Sequence, residues 1–234
     1  MQKIWLSPLF DEIPNGIDEI DYLYNDEFYR CFDYWERAEE LLINKSNSEF
    51  DLRDAISNLK KSMDIRFKLL EKIYAFRSIE EIGNKRKYVE ILSDYKLIRP
   101  LLIESLFLVR NLSEHQDAKP PSIERCNELL DVVWYFLKST DNRCRHRPES
   151  IHFDDFDEGA SNFTIAYQET SSRKIFINGK VDKKYISFDE TSDGHCISID
   201  DNPEELSDSF LFKTHAHIDR KLARQILFDF VMRA

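Results

Sequence analysis

Residues 51–76 read DLRDAISNLKKSMDIRFKLLEKIYAF, and their periodicity decides the fold class. Ala55, Leu59, Met63, Phe67, Leu70 and Tyr74 recur every three or four positions, which is the repeat of one face of an α-helix. Lys60, Lys61, Arg66, Lys68 and Lys72 mark the other faces. The stretch contains neither Gly nor Pro and is rich in good helix formers. It predicts a long amphipathic helix, and such a helix must bury its stripe against neighbours.

Neighbours are found on both sides. Upstream, Tyr24, Phe28, Phe32, Trp35, Ala38 and Leu42 predict a helix over about 21–43, ended by the polar run Asn44 to Ser48. Residues 1–20, with Pro8, Pro14 and Asn15-Gly16, read as an irregular lead-in. Downstream, Ser78 to Gly83 is a break or a short turn of helix, and Arg86 to Tyr95 a shorter helix. Pro100 suits the first turn of a further helix that Leu101, Leu102, Leu106, Leu108 and Val109 carry towards Arg110. After a loop at Gln116 to Pro121, Cys126, Leu129, Leu130, Val133 and Leu137 predict one more helix. The expectation is a bundle of four or five helices over residues 1–142.

The character changes near Asp141. Arg143-Cys144-Arg145-His146-Arg147-Pro148 reads as a basic connector, and Phe163 to Tyr167 as a strand. Lys174 to Ile177 and Lys184 to Phe188 flank Asn178-Gly179, which reads as a hairpin turn. Cys196 to Ile199 and Ser209 to Thr214 add further strand signals, and a last helix starts near Asp219. Residues 150–234 are therefore expected to form a small α+β module of three or four antiparallel strands plus a C-terminal helix. The fold class expected for the whole chain is mainly α.

Five Gly and seven Pro in 234 residues agree with a helical chain. No apolar run approaches the roughly 18 residues of a membrane span, and the N-terminus has no apolar stretch of signal-peptide length. Cys31, Cys126, Cys144 and Cys196 are scattered without a Cys-x-x-Cys pair, which points to a reducing, cytoplasmic setting rather than to disulfides or a zinc ribbon. His215-Ala216-His217 and the pair His195-Cys196 lack third and fourth ligands, so no metal and no cofactor are expected. The net charge of −11 argues against a nucleic-acid partner, but its distribution is uneven. Residues 1–47 carry −7 and residues 151–234 carry −6, whereas residues 48–119 carry +2.

That basic block holds Arg110-Asn111-Leu112-Ser113-Glu114-His115. The chemistry of these residue types suits RNA cleavage without metal. Imidazole titrates near neutrality, so it can take the 2′-hydroxyl proton or return one to the leaving 5′-oxygen. A guanidinium stays charged and grips two phosphate oxygens at once. Five positions on a regular helix leave two side chains roughly 140° apart. Either the helix loosens before His115, or the two side chains converge from the flanks of a groove. A surface Arg and a helix-terminal His interacting with the helix dipole is the plain alternative.

The Arg-Asn-x-x-x-His signature near a helix end, between the long helix and the helix from Ile123 to Leu137, resembles the HEPN superfamily. The resemblance covers roughly residues 48–140 and implies a HEPN-like helical bundle acting as a dimeric, metal-independent endoribonuclease, in the setting of a toxin or phage-defence effector. It implies that Arg110 and His115 are catalytic and Asn111 supportive, with Asp64 an acidic residue of interest on the long helix. RNA substrate, a homodimer and an antitoxin or regulatory partner are the partners expected; a membrane is not. Arg143, Arg145 and Arg147 are weak candidates for contacting substrate phosphates, with a solvated linker as the alternative. The rival reading is a non-catalytic helical dimerisation or partner-binding protein. The surplus of aromatics in the first helix, from Tyr22 to Trp35, suits a face that meets a second subunit.

Overall fold

The computed structural model describes residues 1–7, 13, 15–21, 26–43, 48–80, 88–99, 105, 108, 111, 120–155, 161–169, 173–190 and 194–233. The chain divides into two compact units. A helical unit takes residues 21–73 and 83–146, and a sheet unit takes residues 1–20, 74–82 and 147–234. This division runs along a different line from a cut at 142–150, because both the first strands and a short mid-chain segment belong to the same unit as the C-terminal residues.

The helical unit begins with α1 (Asp26–Ile43) and α2 (Glu49–Tyr74, whose last residue falls in the other unit). Ser48 and Asp51 start α2 by capping each other: the Asp51 amide donates to Ser48 Oγ at 3.2 Å, and the Ser48 amide to Asp51 Oδ2 at 3.0 Å. Ala75 stops it, in the left-handed region at φ 49°. The predicted stripe is buried at Ala55, Leu59, Met63 and Leu70. One predicted face was wrong. Arg66 lies seven positions after Leu59 and four before Leu70, so it shares the buried stripe and is 0% exposed.

After α3 (Phe76–Glu80), which belongs to the sheet unit, the helical unit resumes with α4 (Tyr88–Asp94), α5 (Ile123–Ser139) and α6 (Asp141–Arg145). Ser122 caps α5 by accepting from the Arg125 amide at 3.3 Å. Cys126, Leu129, Val133 and Phe136 are fully buried along one face of α5. Phe67 of α2 packs on Phe136 with ring centres 5.0 Å apart. Trp35 of α1 donates its indole N–H to the Leu130 carbonyl at 2.9 Å, which ties α1 to α5. Each fully buried large apolar side chain contributes roughly 1.5–3 kcal/mol here.

The sheet unit corrects the fold class. Its nine described strands form one sheet, which a mainly α chain with a module of three or four strands does not accommodate. The strands are β1 (Gln2–Leu6), β2 (Asn15–Asp21), β3 (His146–Asp154), β4 (Asn162–Glu169), β5 (Lys174–Asp182), β6 (Ile186–Ser187), β7 (His195–Ile199), β8 (Glu204–Glu205) and β9 (Ser209–Ile218). They run in the order β2-β3-β4-β5-β9-β7-β1-β6, with β8 beside β9. The described strand pairs are antiparallel. The final helix is α7 (Arg220–Arg233).

Three sequence expectations account for the difference. The irregular lead-in supplies β1 and β2, and β1 lies between β7 and β6. The basic connector runs into β3 at His146. Asn178-Gly179 is not a turn but the middle of β5, which pairs without interruption from Lys174 opposite His217 to Asp182 opposite Ser209. Gly179 stands opposite Phe163 at φ 128°, and a Cβ there would sit 2.4 Å from the Asn162 carbonyl oxygen. Glycine marks a close approach of two strands at this position, which leaves the same signature in the sequence as a hairpin.

The sheet curls on itself. Ile4 of β1, Phe163 of β4, Ile177 of β5, Ile186 of β6, Ile197 of β7 and Phe212 of β9 line one small apolar space of about 10 Å³. In a flat sheet β4 and β6 would stand ~24 Å apart, five spacings of about 4.8 Å. The corner is closed by Tyr185, just before β6, whose hydroxyl donates to Asp155 Oδ2 at 3.0 Å, while Lys184 bridges the same oxygen at 3.2 Å.

Candidate functional site

Among the three motif residues, Asn111 is described: it is helical and exposed. Arg110 and His115 lie outside the described residues. Leu108 and Ser105, one and two turns earlier, are helical and half-buried. The spacing of three from Ser105 to Leu108 to Asn111 is helical, and it passes from half-buried to exposed at the motif. Asp64 is half-buried on α2.

Arg145 donates from Nε to Asp141 Oδ2 at 2.8 Å, and its guanidinium lies over the Phe28 ring at 5.2 Å. Arg143 is half-buried, and the side chain of Arg147 lies outside the described residues.

Arg145 belongs to a cluster that sequence reading missed. Its centre is Arg66, which reaches Asp141 Oδ1 with Nη2 at 3.5 Å and Cys31 Sγ at 3.4 Å. The Arg66 guanidinium also lies 5.1 Å from the Phe28 ring centre and 5.4 Å from that of Phe32. Its Nε and Nη1 are buried and have no acceptor among the described residues. Asp141 is therefore shared between a fully buried arginine and a half-exposed one, and the cluster joins α1, α2 and α6. Two thiols flank the guanidinium. Burial pushes Cys144 up to about 11, and the neighbouring Arg66 offsets only part of that rise. Cys31 is raised for the same reason. Both thiols stay protonated at neutrality and are not nucleophiles there. The signal in the sequence was the position of Arg66 within the stripe, seven after Leu59.

His215 and His217 lie on the face of β9 opposite to buried Thr214, Ala216 and Ile218, and His215 packs its ring against Phe176. No group of three potential ligand side chains occurs among the described residues. No described helix is long and apolar enough to cross a membrane.

The aromatic surplus of the helical unit is sorted by the packing. Phe28 is buried, Phe32, Tyr34 and Trp35 are half-buried, and Tyr29 is half exposed. On α5, Trp134 and Tyr135 are exposed, in edge-to-face contact at 5.2 Å, and Lys138 lies over both Phe32 and Trp134. Charge is also unequally divided. The sheet unit holds 13 Lys+Arg against 23 Asp+Glu, net −10, and the helical unit 20 against 21, net −1.

Comparison with protein-family models, with curated proteins and with solved structures finds no match.

Proposed function

We propose that the chain is a metal-independent endoribonuclease of the HEPN type, in which Arg110 and His115 do the chemistry and Asn111 supports it. The observation that carries this reading is the exposed position of Asn111 on a helix, within an Arg-Asn-x-x-x-His signature whose residue types suit phosphodiester cleavage. The near-neutral charge of the helical unit supports it further. The acidity that weighs against RNA for the whole chain belongs mostly to the other unit.

In the proposed reaction His115 takes the proton of a ribose 2′-hydroxyl. The 2′-oxygen then attacks the adjacent phosphorus, and the bond to the 5′-oxygen breaks. The products are a 2′,3′-cyclic phosphate and a 5′-hydroxyl. Arg110 holds two phosphate oxygens while negative charge builds. One chain supplies one Arg110-His115 pair, so a homodimer supplies the second imidazole for the leaving group. A toxin or phage-defence role, with a partner that restrains it, follows from the same proposal.

The test is cleavage of single-stranded RNA by purified protein in EDTA, with end-group analysis. His115→Ala should lower the rate about 10²–10⁴-fold. Arg110→Ala should cost similarly, and Arg110→Lys should restore only part of the rate. Equal rates for wild type and both Ala variants, all folded by circular dichroism, would remove the proposal. A second reading then takes its place: the exposed Tyr29, Trp134 and Tyr135 suit a partner-binding helical face.

A further inference from the structure

Helix α5 has two contact stripes, and the helical unit buries one of them. Cys126, Leu129, Leu130 and Val133 lie in the core, at a spacing of three, one and three. The same spacing recurs in Asp131, Trp134, Tyr135 and Lys138, roughly 150° further round the helix, and all four are exposed. At the centre of this second stripe Trp134 is 36% and Tyr135 62% exposed, with their rings edge to face at 5.2 Å. Side chains of this kind anchor interfaces because they bury much area with few rotatable bonds.

The two ends of the stripe carry opposite charges. Lys138 lies over the rings of Phe32 and Trp134, at 5.0 and 5.7 Å, so its ammonium is held against the aromatic patch. Among the described residues neither Lys138 nor Asp131 is in an ion pair. Glu128, one turn before Asp131, is already paired with Arg125. The stripe is therefore neutral as a whole. A polyanion finds no surplus of positive charge on it, and a basic partner none of negative.

A second copy of the chain fits these charges. Read backwards, the stripe keeps its spacing and exchanges the sign of its ends. Two α5 helices packed antiparallel, about a two-fold axis between Trp134 and Tyr135, set Asp131 opposite Lys138 of the second copy, and each such contact occurs twice. Trp134 meets Tyr135 of the second copy at the centre. A parallel pair would set Asp131 on Asp131 and Lys138 on Lys138, and this repulsion selects the antiparallel register. The orientation that Lys138 already has lowers the entropy lost on pairing.

We propose that the outer face of α5 is a homodimer interface, in which two copies pair antiparallel through Asp131, Trp134, Tyr135 and Lys138. The ribonuclease reading calls for a homodimer, but this surface and register stand on exposure, spacing and charge without it. Association is measured without RNA, so a failure to dimerise and a failure to cleave are separate results. Two turns of one helix bury less than the roughly 800 Å² per partner of a standard interface, so a Kd of about 10⁻⁶–10⁻⁵ M is expected.

The experiment is sedimentation velocity of the full chain over about 1–100 μM, a range that brackets this Kd. A concentration-dependent dimer is expected, weakened by added salt. Asp131→Lys and Lys138→Asp each set like charges against one another and should raise Kd at least about 10-fold. The double variant, Asp131→Lys with Lys138→Asp, exchanges the charges and should return to within about 5-fold of wild type. Trp134→Ala with Tyr135→Ala should raise Kd at least about 10-fold. The altered side chains are exposed, and circular dichroism checks that each variant is folded. A wild type that stays monomeric throughout overturns the proposal. So does a dimer that the charge variants or the aromatic variant leave intact, which would place the interface elsewhere. Loss in both single charge variants without recovery in the double variant overturns the register. A monomer that binds a labelled single-stranded oligonucleotide, and loses it in the aromatic variant, would give the face to nucleic acid instead.

Discussion

Replacing Asp141 should harm the helical unit far more than replacing Arg66, although the two residues form one ion pair. In Asp141→Asn the guanidinium stays fully buried and loses its carboxylate. Among the described residues, the Cys31 sulfur, the Cys144 thiol and two aromatic faces remain around it. Breaking a buried pair from one side costs about 3–5 kcal/mol. The 3.5 Å separation and the 17% exposure of Asp141 put this pair below that range, at about 2–3 kcal/mol. Arg145 also loses its charged partner, a smaller term because that side chain is 38% exposed. In Arg66→Met the charge leaves with its two unsatisfied nitrogens, each of which costs about 1–3 kcal/mol in the native protein. The offsetting losses are the contact with Asp141 and two cation–π contacts of about 1–2 kcal/mol each. Asp141 keeps Arg145. The net change is expected within about 1 kcal/mol of zero. Urea unfolding measures the difference. Trp35 and Trp134 lie in the helical unit and Trp5 in the sheet unit, so fluorescence in a Trp5→Phe background reports on the helical unit. Arg66→Met destabilising as much as Asp141→Asn, with unchanged m-values, would refute the reasoning and make the guanidinium itself the keystone.

Two further outcomes follow from the geometry. Gly179→Ala forces a Cβ to within 2.4 Å of the Asn162 carbonyl oxygen and 2.6 Å of Phe163 Cα, both backbone atoms, at φ 128°. A loss of about 3–5 kcal/mol is expected, and a melting temperature within a few degrees of wild type would contradict it. Stability should also fall in alkali. Cys126 and Cys144 are held at about 11 by burial, against an ordinary 9.0, so between those values the unfolded chain releases thiol protons that the fold retains. Their contribution is whole below pH 9 and is lost towards pH 11, with an upper bound of about 2–3 kcal/mol for Cys144. Urea midpoints at neutral and alkaline pH check this, and the alkaline loss should be smaller in Cys144→Ala; an equal loss in the variant counts against it.

The sequence by itself determined the helices whose signal is local. Spacings of three and four placed α1, α2 and α5 because each apolar residue of a helix meets its own neighbour one turn away. It also determined the chemical types in Arg110-Asn111-x-x-x-His115, which is why a reaction can be proposed before a contact is known. Only the tertiary structure decided the sheet. Five-residue β1 becomes a strand by pairing with residues 186–187 and 195–199, far along the chain, and a two-residue alternation in Ile4 and Leu6 is too short to announce it. The same holds for Gly179, whose close approach comes from Phe163 on the neighbouring strand. The salt bridges of Arg220 and Arg224 to Glu80 were invisible for a related reason. Arg220 and Arg224 are one helical turn apart in any reading, but the carboxylate that fixes them lies about 140 residues earlier, at the end of a five-residue helix. Local repeats are written into the chain; long-range partners are chosen by burial and charge once the chain is folded.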